Sequence, residues 1–202
     1  MIFVIPKGRL MGPSLQVLRL SGVEVPDTAG RSLALRSGGN TFLISRAADV
    51  PGYVEAGAEI GITGSDVVEE SGNDVLVPLD LPFGRCRLSI AAPPGFRGLR
   101  DGVRIASRYT NIASRLLSSR RVSGSVLKLS GSVELAAVTG MADAILDIVE
   151  TGRTLEQNGL LEYEKVMDVR AQVVVNRVSW KTKYREMRAL ISRMEAACNG
   201  GY

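Results

Sequence analysis

The chain alternates short, nearly continuous apolar runs with segments whose apolar residues fall at helical spacing. That alternation is the pattern of an α/β protein. "IFVIP" predicts a short buried strand, "KGRLMGP" a glycine-rich turn, and "SLQVLRLSG" a helix that stops at Gly22. "SLALRSGGNTFLIS" holds two alternating runs around Gly38, Gly39 and Asn40, the signature of a hairpin. A helix follows from Val50 or Pro51, with Asp49 as its expected cap and Gly57 as its stop. Then come a strand in "AEIGIT", a helix in "GSDVVEES" and a strand in "DVLVPLDL". The second half repeats the style. Strands are expected in "RLSIAAP", "VRIAS", "GSVLKLS" and "ADAILDIV". Helices are expected in "TNIASRLLSSR", capped by Thr110 or Asn111, and in "SVELAAVTG", stopped by Gly140. "LEYEKVMDVRAQVVVNR" reads as a long strand pair crossing between halves. A final helix runs from about Ser179 to Cys198, with Tyr184, Met187, Leu190, Ile191 and Met194 on one face.

Two segments share an outline: "YVEAGAEIGITGSD" and "LAAVTGMADAILDIV". Each runs short helix, glycine, small residues with an acid, strand, helix start. The repetition suggests two similar lobes with a cleft between them, where α/β folds bind ligands near strand C-termini.

Composition narrows the chemistry. The 202 residues carry a net charge of +4, which permits an anionic ligand. No Lys/Arg run is long enough for a nucleic-acid backbone, and aromatics make up only 5%. Cys86 and Cys198 lie far apart and read as free thiols of a reducing compartment. No apolar run reaches the roughly 18–20 residues of a membrane span, and the N-terminus lacks a signal-peptide pattern, so a cytoplasmic protein is expected. The absence of histidine excludes His bases, His metal ligands and Ser-His-Asp triads. Chemistry must run on carboxylates, Lys and Arg, hydroxyls, backbone dipoles or a bound Mg²⁺.

The strongest candidate is "DIVETGRTLEQN". Thr151, Gly152, Arg153 and Thr154 lie where a strand ends and a helix begins, so backbone N–H groups and hydroxyls face outward to cradle a phosphate. Asp147 and Glu150 would repel phosphate; beside such a loop they suit sugar hydroxyls, or Mg²⁺ shared with the phosphates. A capped helix with surface acids is the alternative. In "PKGRL", Lys7 and Arg9 flank Gly8 on a tight turn, as a phosphate grip or as a solvated basic turn. Arg46 ends a strand, Gly64 and Ser65 open a helix, and Asp66 reads as a first-turn acid. Ser130 and Ser132 are candidate caps or ligand donors, and Glu134 another first-turn acid.

"IPKGRL", "RAADVPGYVEAGAEIGITGSDVV", "LSGSVELAAVTGMADAILDIVETGRTLEQNGL" and "VVVNRVSWKTK" occur in that order. Together, and over nearly the whole chain, they resemble ATP phosphoribosyltransferase, the family that opens histidine biosynthesis. The resemblance implies two α/β lobes like type II periplasmic binding proteins, at 1–84 plus 170–202 and at 85–169. It implies transfer of a phosphoribosyl group from phosphoribosyl pyrophosphate to ATP, with Mg²⁺ whose ligands stay unassigned. It puts the phosphoribosyl loop on Asp147, Glu150, Thr151, Gly152, Arg153 and Thr154. ATP contacts fall on Lys7, Gly8, Arg9, Leu10 and Arg46, and the catalytic arginines on Arg46, Arg9 and, in a looser match, Arg31. The likeness is to the short form, which lacks a histidine-sensing C-terminal domain. It therefore implies a homodimer or larger assembly and a regulatory subunit similar to histidyl-tRNA synthetase, with no nucleic-acid or membrane partner. The rivals are a bilobal anion- or solute-binding module without catalysis, and a phosphoribosyltransferase of the other common fold.

Overall fold

The computed structural model describes residues 1–28, 30 and 32–200. In chain order β1 (Ile2–Pro6) leads through a 3₁₀ turn to α1 (Met11–Leu20), then β2 (Ala34–Ser37) and β3 (Asn40–Ser45). Next come α2 (Val50–Glu55), β4 (Ile60–Gly64), α3 (Ser65–Ser71) and β5 (Val75–Asp80). There follow β6 (Cys86–Ala92), β7 (Arg104–Ser107), α4 (Thr110–Ser119), β8 (Ser125–Lys128) and α5 (Glu134–Val138). The chain continues with β9 (Ala144–Val149), α6 (Arg153–Gln157) and β10 (Leu161–Val169), and closes with β11 (Ala171–Asn176), α7 (Arg177–Thr182) and α8 (Tyr184–Asn199). It divides into two compact units, Met1–Gly84 with Arg170–Tyr202, and Arg85–Val169.

The first unit is a six-stranded sheet ordered β2-β3-β1-β4-β11-β5. Both faces are buried, so its inner strands read as continuous apolar runs. Phe3, Ile5, Phe42 and Ile44 face α1 and α8, while Val4 and Val174 face Val50 and Val54 of α2. A Cβ on Gly61 would stand 2.5 Å from Val50, so the glycine lets α2 lie directly on β4. Pro78 is tolerated because β5 is an edge strand. The hairpin turns on Gly38 and Gly39, both at positive φ (55° and 76°), as a two-residue primed turn requires.

The second unit is a five-stranded sheet ordered β10-β6-β9-β7-β8. Leu88, Ile90, Ile105 and Leu146 pack on α4, and Ala91, Ala106, Ile145 and Val149 pack under α5 and α6.

Several local expectations change. The helix α1 starts at Met11, three residues early, because Pro13 is acceptable within a first helical turn. Asp49 holds the cap position of α2 as expected, but it also closes a 3₁₀ turn and its side chain makes no cap bond. The cap position of α4 is Tyr109 and that of α5 is Val133, so neither Thr110, Asn111, Ser130 nor Ser132 serves. The last helix is broken at Lys183, whose ammonium pairs with the buried Glu59. Asn176 caps α7 by accepting from Ser179 N–H at 2.9 Å. Met187, Leu190, Ile191 and Met194 are buried as one face, but Tyr184 is exposed.

Candidate active site

In the second unit β9 carries its apolar residues into both layers, and Asp147 interrupts the row that faces α5 and α6. Its carboxylate is almost buried, at 8% exposure. Oδ1 accepts from Ile148 N–H at 2.8 Å and faces Arg108 Nε at 3.4 Å. Burial pushes this carboxyl above its ordinary value; Arg108 and the Ile148 N–H pull down, and the charge of Glu134 adds to the rise. Arg108 arrives by register: β7 and β9 run parallel with Ser107 opposite Leu146, so the next residues on each strand are Arg108 and Asp147. The turn is pinned by Ser107 Oγ, which donates to Leu146 O at 2.6 Å and accepts from Tyr109 N–H at 2.8 Å.

On the other side of β9, Ser89 of β6 is the cross-strand partner of Asp147. Ser89 Oγ donates to Glu162 of β10 at 2.8 Å. The same carboxylate receives a two-pronged grip from Arg87, whose remaining Nη1 donates to Glu150 O at 3.2 Å. A polar band thus crosses the sheet from Glu162 through Arg87, Ser89, Asp147 and Arg108 to Glu134. Its arginines fix the acid and the first carbonyl of the loop that follows.

That loop stands open. Glu150, Thr151, Arg153 and Thr154 are exposed, and Gly152 has φ 84°, where a side chain would be strained. Thr151 Oγ1 accepts from Arg153 N–H at a long 3.4 Å. The helix behind the loop, α6, has only five residues, anchored by buried Leu155. One turn sums few peptide dipoles, so anion binding here must rest on local N–H and hydroxyl donors rather than on a macrodipole.

In the first unit β1 and β3 end level, with Pro6 opposite Ser45, and Lys7 N–H donates to Ser45 O at 2.7 Å. Lys7 and Arg46 therefore leave neighbouring strand ends together. Lys7, Gly8, Arg9 and Arg46 are exposed, and Gly8 has φ 83°. Leu10 is a core residue packed in the cluster of α1 and α8, leaving only its backbone for a ligand. Arg31 lies outside the described residues. Asp66 is buried at the start of α3.

Sequence reasoning passed over Arg87 and Arg108. The available signal was position: Arg108 directly follows a predicted strand, where ligand-facing residues of α/β sheets cluster. Among the described residues no group of three or more His, Cys, Asp or Glu side chains could hold a metal. No helix among them is long and apolar enough to cross a membrane.

Two layered α/β units, one ending its central strand in an acid–arginine pair and an open Gly-Thr loop, define a two-unit α/β protein with a candidate ligand site at a strand exit. The family model described as ATP phosphoribosyltransferase matches residues 46–196. Across its full length the chain is 54% identical to ATP phosphoribosyltransferase of Thermococcus gammatolerans, covering 100% of that protein. It is 50% identical to that of Pyrococcus furiosus over 99% of this chain and 100% of the relative. A solved structure, the ATP phosphoribosyl transferase (HisG:HisZ) complex from Thermotoga maritima, matches with TM-score 0.87 and 32% identity over 99% of both chains. The chain belongs to the ATP phosphoribosyltransferase family, the pentosyltransferases that open histidine biosynthesis.

Proposed function

We propose that the chain transfers the 5-phosphoribosyl group of phosphoribosyl pyrophosphate to a ring nitrogen of ATP, using the β9 exit for the sugar phosphate. The observation that carries this reading is the buried Asp147, paired with Arg108 three residues before an exposed Glu150–Thr154 loop. Thr151, Gly152, Arg153 and Thr154 offer hydroxyl and backbone donors to the 5-phosphate, and Asp147 accepts from the ribose hydroxyls. Lys7, Gly8, Arg9, the Leu10 backbone and Arg46 take ATP.

The reaction forms a bond from the adenine nitrogen to C1′ and breaks the bond from C1′ to pyrophosphate oxygen. Negative charge grows on the leaving group and positive charge on the ring. Guanidinium groups of Arg46 and Arg9, with Arg31, stabilise the departing pyrophosphate, and the Asp147 carboxylate faces a ring gaining positive charge. No step needs a histidine. The donor set suits a Mg²⁺ that arrives on the substrates' phosphate oxygens, not a cage of protein ligands, with Glu150 as the exposed carboxylate of the loop. When bound, that ion screens the phosphate charge.

The finer fold reading is of type II periplasmic-binding-protein lobes, supported by the matching strand orders of the two sheets. The assembly reading is a cytoplasmic homodimer or larger, joined by a histidyl-tRNA-synthetase-like regulatory subunit. The related Thermotoga maritima chain, solved as a HisG:HisZ complex, supports it.

The test is pyrophosphate release from ATP and phosphoribosyl pyrophosphate, with Thr154→Ala alongside wild type. The variant should raise KM for the sugar pyrophosphate more than KM for ATP. Equal changes would move the 5-phosphate elsewhere, and binding without release would favour the solute-binding module.

A further inference from the structure

At the opposite end of the second sheet from Asp147 lies a cavity of about 730 Å³. Its lining includes Arg104 and Asp143, where β7 and β9 begin, and most of the 93–104 segment that follows β6. Sites for small organic ligands span roughly 300–1,000 Å³.

The charges around this cavity are unevenly engaged. Asp143 accepts from Arg104 N–H at 2.8 Å, from its Nε at 3.2 Å and from its Nη2 at 2.8 Å, which holds its carboxyl below its ordinary value. Asp101 Oδ1 accepts from Ser123 N–H at 2.8 Å. Both acids therefore have partners inside the fold. The guanidinium groups of Arg97 and Arg100, also in the lining, are exposed and form no hydrogen bond or ion pair among the described residues. Arg100 adds only a distant attraction to Asp143. Beside them is a fixed apolar wall: Phe96 packs edge-on against Tyr163 at 5.2 Å, and Tyr163 OH donates to Pro93 O at 3.1 Å.

Guanidinium groups bind carboxylate and phosphate oxygens in pairs, and a rigid apolar wall receives a carbon skeleton without losing its own freedom. We propose that this cavity is a second ligand site of the chain, taking a small organic polyanion through Arg97 and Arg100, with Arg104 at its edge. The inference does not rest on the assignment of the 150–154 loop, which lies at the other end of β9.

Calorimetric titration of the full chain with citrate, and separately with glycerol 3-phosphate, tests it and separates a carboxylate from a phosphate ligand. At least one probe should bind saturably at millimolar concentration or below. The R97Q/R100Q variant should weaken that binding roughly tenfold or more while keeping turnover and melting temperature. The single variants R97Q and R100Q give the same reading should the double variant lose stability. A T151A/T154A variant should keep the binding. The site is refuted by no saturable binding of either probe, by binding indifferent to R97Q/R100Q, or by binding lost in T151A/T154A instead.

Discussion

At the end of β4, Asp66 folds back over Gly64, so closely that a Cβ on that glycine would stand 2.1 Å from its carboxylate. Ser65 N–H donates to Arg170 O at 2.8 Å, and Arg170 N–H returns a bond to Ser65 Oγ at 3.2 Å. At the end of β9, a Cβ on Gly152 would meet nothing within 4 Å. The two corners are equivalent in topology. β4 lies between parallel β1 and antiparallel β11, and β9 between parallel β7 and antiparallel β6; β3 and β8 extend the parallel side. Strand order thus builds the same exit twice. What differs is occupancy: the first unit closes its corner with its own carboxylate and backbone, while the second leaves donors outward and buries an acid just upstream. The fold supplies the corner, and a few side chains decide whether it can hold a ligand.

The largest contrast should come from the two acids. Asp147→Asn keeps the Oδ1 acceptor and removes the charge, so turnover should fall roughly two to three decades. Its melting temperature at pH 7 should not drop, because an ionised buried carboxylate is itself costly. Asp66→Asn should leave turnover near wild type. Unfolding of Asp147→Asn, or equal turnover losses at both acids, would erase the distinction between the corners.

Next come the two glycines, which serve for different reasons. Gly64 has φ −78°, an ordinary value, so Gly64→Ala brings no backbone strain but displaces Asp66. Overpacking of this kind costs about 1–3 kcal/mol, read as a lower melting temperature with KM unchanged. Gly152→Ala meets open space but forces a side chain into left-handed backbone, at about 1–2 kcal/mol. It should raise KM for phosphoribosyl pyrophosphate severalfold, with a fall in melting temperature of only a few degrees. A smaller effect of the same sign is expected for Arg87→Gln, which removes the guanidinium's bond to the Glu150 carbonyl; KM for ATP should stay put. An ATP effect as large as the sugar effect would show that Arg87 does more than hold this loop.

What could be read along the chain was whatever local chemistry fixes. The Gly38-Gly39 turn and the unbroken apolar run of β9 announce themselves because a primed turn needs positive φ and a buried strand needs apolar residues. The repeated helix-glycine-strand outline of 53–66 and 135–149 corresponds to the two equivalent corners. The break at Lys183 was invisible, since "SWKTKY" continues a helical pattern and the partner of Lys183 at the break, Glu59, is 124 residues away. Arg87 was invisible for a related reason, and Arg108 was marked only by its place after a strand. Each looks like a surface charge until strand register sets it beside Asp147 or the Glu150 carbonyl.

The finest test concerns the charges that set the protonation of Asp147. Three groups face its carboxyl: Arg108 and the Ile148 N–H, which favour the anion, and Glu134, which opposes it. Burial outweighs the favourable pair, so the folded pKa lies above the ordinary carboxylate value. An acid raised on folding binds its proton more tightly in the native state. Stability therefore falls as pH rises from the ordinary value through the raised one, while the carboxylate proposed to accept from the ribose hydroxyls appears over the same interval. Activity should accordingly fall on acidification through the raised value. Arg108→Gln removes attraction and should move the acid limb of kcat/KM to higher pH. Glu134→Gln removes repulsion and should move it to lower pH. Opposite displacements from two neutral glutamines identify the charge pattern, because a purely structural disturbance would have no reason to reverse sign. If both variants shift the limb the same way, or neither does, the acid limb belongs to another group and Asp147 acts by shape alone.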